Sequence, residues 1–176
     1  MKKFFLLCFG MILLLLLGVS CGDYQDETYT ISALDAAACG VYEVDSLAIS
    51  LRPAALPDTV VTFADRVAFL TEAGIVFGVD SDSLWSVRFP TDSLYMVFQV
   101  VNSGDKVIYT DHNVNFSLSD GDTTISPAEE AIELSTVAAC PYIFSRRVYH
   151  LGAGSYLICL SSEDPVNFKM VVLNKE

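Results

Sequence analysis

The chain has 176 residues and a formal net charge of −12, from 10 basic and 22 acidic side chains. Its length fits one domain. The acidity excludes nucleic acid as a partner, because binding phosphates needs clustered Lys and Arg. Apolar residues make up 52% of the chain, so the bulk of it is not disordered.

The N-terminus has the pattern of an export signal. Lys2 and Lys3 are followed by an unbroken apolar stretch from Phe4 to Val19. This stretch is shorter than the roughly 20 residues of a spanning helix. A basic start, a short apolar core and small residues after it are typical of a secretory signal peptide. We therefore predict a signal peptide over 1–20.

The end of this leader carries a second pattern, Leu17-Gly18-Val19-Ser20-Cys21. It resembles the cleavage box of bacterial lipoprotein precursors, in the looser form found in lipoproteins of the Bacteroidota. The resemblance implies that Cys21 bears the lipid and is the first residue of the mature chain. It also implies an outer-membrane lipoprotein of the cell envelope, either periplasmic or surface-exposed. A plain signal peptide or a single membrane anchor is the alternative.

Cleavage after residue 20 would remove Lys2 and Lys3, leaving 8 basic and 22 acidic side chains and a charge of −14. Such a charge disfavours contact with anionic lipid. The membrane partner is then reached through the acyl chains, of which two or more give stable anchoring. We predict a tether over 21–38 and one domain over 39–176, with the protein or glycan partner left open.

The cysteines suggest one disulfide. With Cys8 in the leader and Cys21 assigned to lipid, Cys39, Cys140 and Cys159 remain, which allows three pairings. An oxidising compartment lets a disulfide persist. Cys159 lies within an alternating strand and is predicted to be a buried thiol, which favours the pair Cys39–Cys140. The cysteine spacing is not that of a zinc site, and we expect no metal and no cofactor.

The body of the chain has mostly strand periodicity. Apolar and polar residues alternate in four segments, and two others are continuously apolar, which is typical of strands with one and two covered faces respectively. The alternating segments are 47–51, 85–89, 114–118 and 156–161, and the continuous ones are 94–101 and 170–173. Short strands without helix-length segments between them predict an all-β chain with a single β-sandwich, immunoglobulin-like or jelly-roll-like.

Turn residues mark the joints between these strands. Asn102-Ser103-Gly104-Asp105 and Asp120-Gly121 each predict a hairpin. The segment 126–134 begins with the helix-start pattern Ser-Pro-Ala-Glu, but its apolar residues also fit an edge strand. We therefore expect at most one short helix.

Catalytic motifs are not evident. There are two histidines, His112 and His150, and Asp111 beside His112 is expected to point to the opposite face of a strand. No Gly-x-Ser-x-Gly elbow or His-Glu-x-x-His motif occurs. The acid pairs within 80–82 and 120–122 fit turns, although a small carboxylate-dependent hydrolase or an irregular calcium site is the alternative interpretation.

Aromatic and basic residues give the last candidate site. One basic pair, Arg146-Arg147, is expected at a rim or a hairpin position. A sheet face rich in aromatic residues would suit glycan binding in a polysaccharide-uptake system, while the same positions also suit a core. The residues concerned are Trp85, Tyr95, Tyr109, Tyr142, Tyr149 and Tyr156. The sequence favours a non-enzymatic binding or interaction module of the cell envelope.

Overall fold

The computed structural model describes residues 31–44, 48–78, 83–89, 93–121, 123–133, 140–161 and 166–175. The predicted signal peptide and Cys21 lie outside these residues. The helices and strands are, in chain order, α1 (Ala33–Glu43), β1 (Ile49–Leu51), α2 (Phe63–Glu72), β2 (Val76–Gly78), β3 (Leu84–Phe89), β4 (Leu94–Val100), β5 (Gly104–Thr110), β6 (Asn115–Ser119), β7 (Thr124–Ile125), β8 (Glu129–Glu133), β9 (Ser145–Leu151), β10 (Gly154–Ser161) and β11 (Val166–Lys175).

The strands form two sheets, and the predicted β-sandwich is confirmed. The six-stranded sheet has the order β1-β3-β11-β5-β9-β8, and the five-stranded sheet has the order β2-β4-β10-β6-β7. Most neighbours are antiparallel, but β1 pairs with β3 and β2 pairs with β4 in parallel. Both parallel strands are three residues long and lie at sheet edges.

Two apolar clusters hold the layers together. Strand alternation divides β5 between them, because Ile108 belongs to the larger cluster while Val107 and Tyr109 belong to the smaller one. The larger cluster draws on both sheets and forms the main core. Its largest fully buried members include Phe77, Met96, Phe98, Ile108 and Leu118. The smaller cluster lies between the six-stranded sheet and α1.

Helix α1 packs on β11 and forms part of the domain. Ser32 caps its N-terminus by accepting a hydrogen bond from the Asp35 backbone N–H, which satisfies one of the unpaired donors of the first turn. Asp35 and Ala38 are buried, although the sequence assigned them to the tether. The packed domain therefore starts before residue 39, the predicted boundary.

Helix α2 packs against β4 and β10. Thr62 caps it in the same way as Ser32 caps α1, and Leu70 is its one fully buried residue. With α1, it makes two helices in the described part of the chain, so the expectation of at most one is wrong. Each helix buries only a narrow stripe, which is why strand patterns dominate the sequence. Neither helix among the described residues is long and apolar enough to cross a membrane.

One of the two predicted hairpin turns has a different role, and the segment left open between a helix and an edge strand is a strand. The 102–105 turn joins β4 to β5, which lie in different sheets, so it is a crossover and not a hairpin. The 120–121 turn does join a hairpin, since β6 pairs with β7. The segment that begins at Ser126 continues as the edge strand β8 and not as a helix.

Candidate functional site

A buried polar cluster lies beneath α1. The Asp35 side chain is nearly fully buried, and its Oδ1 accepts a hydrogen bond of 2.8 Å from the Tyr109 hydroxyl. The Arg146 Nε atom lies 3.1 Å from the same oxygen. Asp35 Oδ2 accepts a hydrogen bond of 2.7 Å from the Ser32 hydroxyl. We call these four residues the α1 cluster.

Two further contacts hold α1 against the rest of the domain. Cys39 of α1 forms a disulfide with Cys140, with a Cα–Cα distance of 5.7 Å, which is the pairing that the sequence favoured. The Tyr42 hydroxyl lies 3.0 Å from the carbonyl oxygen of Tyr109 and 3.1 Å from that of Lys169. The helix is therefore held near its start, middle and end, by an ion pair, a covalent bond and a shared hydroxyl.

The α1 cluster suits holding a helix in place better than moving a proton. Burial, and then the hydrogen bond to Asp35, raise the pKa of Tyr109 far above its ordinary value, so its hydroxyl stays a donor. Sequence analysis missed this cluster because Asp35 fell in the predicted tether. The pattern Ser32-x-x-Asp35 was the available signal, since it is typical of a helix start.

Alkaline titration tests whether Tyr109 is buried in this way. Burial is also the main cause that raises the pKa of Tyr42 and of Tyr149. The unfolded chain releases these protons near pH 10, while the folded protein retains them, so stability falls as pH rises above about 10. We expect part of the tyrosinate absorbance to develop only together with the loss of the far-UV circular-dichroism signal. Complete ionisation near pH 10 with the fold intact would contradict the assignment.

Arg147 follows Arg146 in β9, and its side chain leaves the face of the strand opposite to α1. Its Cζ atom lies 4.5 Å from the centroid of the Phe116 ring, and that ring also lies 6.2 Å from the ring of Tyr149. Its Nη2 donates a hydrogen bond of 3.1 Å to the carbonyl oxygen of Val114. Burial lowers the pKa of Arg147. The predicted rim or hairpin position of the Arg146-Arg147 pair is therefore wrong, because Arg146 is buried against α1 and Arg147 is half-buried against Phe116.

The two histidines contact carboxylates at the surface. His112 Nδ1 lies 2.8 Å from Asp111 Oδ1, in the bend after β5, so the expectation that these neighbours point apart is wrong. Asp111 Oδ1 also accepts a hydrogen bond from the Lys169 backbone N–H. His150 of β9 lies 2.7 Å from Asp105 of β5, across the strand pair. Both histidine side chains are exposed.

The six aromatic residues do not form one exposed line. Tyr109, Tyr149 and Tyr156 are buried, and Trp85 and Tyr95 are half-buried against the main core. The remaining one, Tyr142, is 52% exposed. Most of the aromatic residues that were considered for stacking against glycans therefore lie in the protein interior, and they do not form an exposed binding face.

The remaining predicted features are the thiol of Cys159 and the acid pairs within 80–82 and 120–122. Cys159, predicted to be a buried thiol, is free and half-buried, and it lies opposite Tyr95. Asp120 is exposed, while Asp122 and the whole acid pair of 80–82 lie outside the described residues. Among the residues that the structure describes, no three potential metal ligands come together.

An open groove of about 590 Å³ runs along α2. Most of its lining is small and apolar, so it offers little polar chemistry. The lining residues are Phe63, Ala64, Val67, Ala68, Thr71, Glu72 and Ser155.

No family model and no curated protein matches the chain. Among solved structures, it is similar to the pre-peptidase C-terminal domain of a collagenase from Bacillus anthracis, with 9% identity and a TM-score of 0.32 over 55% of this chain and 91% of that one. A β-glucosidase from Paenibacillus barengoltzii is 14% identical over 70% of this chain, with a TM-score of 0.30. The match spans only 13% of the glucosidase. At these scores the similarities carry no information on function.

Proposed function

We propose that the chain is a lipid-anchored β-sandwich module of the bacterial cell envelope, and that it acts by binding and not by catalysis. Cys21 would carry the lipid and start the mature chain. The packed domain would then begin about ten residues further on, since Ser32 caps α1. This short connection would hold the domain close to the membrane surface.

The Cys39–Cys140 disulfide is the observation that carries the proposal. Structural disulfides persist in extracytoplasmic compartments and are rare in the cytosol, where thiols are kept reduced. The bond joins α1 to a position just before β9, so it ties together distant parts of one domain. A disulfide-stabilised domain behind an export leader is the combination expected of an envelope protein.

The use of the charged groups supports binding over catalysis. Catalytic acids and bases usually lie in a cleft, with a pKa adjusted for proton transfer. Here Asp35 and Arg146 neutralise each other beneath a helix, and the rings of His112 and His150 contact carboxylates on the exposed surface. These contacts suit a stable scaffold that presents a surface to a partner.

Changing Cys21→Ala tests the anchor. In a Bacteroidota host we expect the variant to lose palmitate incorporation and to leave the outer-membrane fraction. Mass spectrometry of the wild type should find a mature chain that begins at residue 21 and carries acyl mass. The physical reason is that only acyl chains hold a protein of this charge on the membrane.

Cys8→Ala is the matched control, because it removes a thiol from the same leader without touching the predicted acylation position. It should keep normal labelling and fractionation. Unchanged palmitate incorporation in Cys21→Ala, or a wild-type chain that retains residues 1–20, would refute the anchoring proposal.

A further inference from the structure

The groove along α2, which we call the α2 groove, is an apolar surface of defined shape. On its helix side, Ala64 and Ala68 present small, exposed side chains beside Val67, which also packs against the main core. On its strand side lies Ser155 of β10. The Ser155 hydroxyl donates a hydrogen bond of 2.7 Å to Oε1 of Gln99. A row of apolar side chains can therefore enter the groove without leaving that hydroxyl unpaired.

Carboxylates lie at both ends of the α2 groove. Glu72 lines one end, and Phe63 lines the other, about 14 Å away along the helix axis. The turn between β6 and β7 meets the Phe63 end, because a Cβ atom on Gly121 would lie 3.9 Å from the Phe63 Cγ atom. This turn brings the exposed Asp120 to that end. The described residues that line the groove include no Lys or Arg, so its charge is negative.

The two other charges of α2 strengthen this pattern. At about 100° per residue, Asp65 lies next to Glu72 around the helix axis, on the exposed rim of the groove. Arg66 lies on the far side of the helix from the groove lining. Its Nε donates a hydrogen bond of 3.5 Å to the carbonyl oxygen of Val60. The one cation of α2 is therefore turned away from the groove, and the acids remain on it.

From this geometry we infer that the α2 groove binds a basic amphipathic helix of a partner protein. The apolar face of that helix would lie on Ala64 and Ala68, with basic residues near Glu72 and Asp120. Apolar side chains at helical spacing suit such a groove, and small residues at the contact let two helices approach closely. The net charge of −12 opposes a second copy of this chain and an anionic membrane surface, and it attracts a cationic partner. The inference rests on the proposed binding function and names the kind of partner.

Binding of a model peptide tests the groove. The probe is a fluorescent helical peptide of about 14 residues, made of leucine and lysine, with the leucines on one face. Its controls are a peptide with the same residues in scrambled order and one with glutamate in place of each lysine. The full chain is held in phosphatidylcholine nanodiscs, with empty nanodiscs as the blank, or is used in buffer if it carries no lipid. Fluorescence anisotropy should show saturable binding of the probe, at least about tenfold tighter than of either control.

Variants of matched charge locate the binding. Ala68→Glu puts a larger, polar side chain into the groove and should weaken binding at least about tenfold, whereas attraction by charge alone would become stronger. Ala37→Glu makes the same change at an exposed alanine of α1 and should leave the affinity within about twofold of the wild type. Glu72→Gln should weaken binding about two- to fivefold, as expected for one exposed ion pair. Glu43→Gln, at an exposed acid of α1, should leave it unchanged.

Two results would overturn the inference. One is equal affinity for the probe and its control peptides, or binding no stronger than that to empty nanodiscs. The other is an affinity that Ala68→Glu and Ala37→Glu change equally or not at all, because binding would then lie outside the groove or follow from net charge alone. Either result would leave the anchoring experiment on Cys21 unaffected, so failure of the groove and failure of the proposed envelope location are distinguishable.

Discussion

Replacing Cys39 and Cys140 together with serine is expected to lower the free energy of unfolding by up to about 4–5 kcal/mol. The two cysteines are separated by 101 positions, so the bond restricts a large loop of the unfolded chain. Domains of this size have a total stability of about 5–15 kcal/mol. Urea unfolding followed by the fluorescence of Trp85 should show a midpoint shifted far to lower denaturant.

Cys159→Ser provides the control for this experiment, because it removes a free thiol and leaves the disulfide in place. Its midpoint should stay close to that of the wild type. Adding a reductant to the wild type should reproduce most of the shift, and should not move the midpoint of the double serine variant. A double variant as stable as the wild type would mean that the bond contributes little.

Asp35→Ala is expected to cost about 3–5 kcal/mol, because it removes a carboxylate that lies against the buried Arg146 guanidinium and so leaves that cation less well compensated. Arg146 is 8% exposed and cannot regain water without moving α1 off the sheet. The Tyr109 hydroxyl loses its acceptor in the same variant. The loss should appear as a lower urea midpoint and as faster hydrogen exchange in α1.

The chain contains a matched control for this variant. Asp65 occupies the same position in α2 as Asp35 does in α1, and it makes the same contacts with the capping Thr62, but at the exposed surface. Asp65→Ala therefore loses only the helix-start interactions, worth about 0.5–1 kcal/mol. Similar losses in the two variants would show that the buried ion pair adds nothing to the cap.

A double variant distinguishes the effect of the lost charge pairing from the effect of the lost helix-start interactions. Asp35→Ala with Arg146→Met removes both charges and leaves an apolar side chain in place of the guanidinium. We expect this double variant to be more stable than Asp35→Ala alone, because much of the penalty comes from a buried cation that has lost a neighbouring carboxylate. Strictly additive losses would contradict this explanation.

Much of the strand content was predictable from local patterns. The alternation within 85–89, 114–118 and 156–161 corresponds to β3, β6 and β10, because a period of two requires only that one face be buried. The cysteine positions likewise favoured one disulfide. The strand alternation is local information. The disulfide could be predicted because only three pairings of the remaining cysteines were possible.

Helix α1 shows where local pattern was insufficient. The segment 33–38 follows a polar stretch and carries the acid Asp35, so it was assigned to the tether. Its burial depends on Arg146 and Tyr109, which are distant in the chain and meet Asp35 only because β5 and β9 pair. A single sequence contains no measure of that proximity.

By itself, the amino-acid sequence determined where apolar and polar residues alternate along a strand and which cysteines were available for a disulfide. Both follow from the order of the residues in the chain. Only the tertiary structure decided which sheet each strand joins. The 102–105 turn contains the residues of a hairpin, yet it carries the chain from one sheet to the other. Strand pairing also separated Arg146 from Arg147. Adjacent strand residues face opposite sides, so one arginine meets a carboxylate under α1 and the other meets an aromatic ring between the sheets.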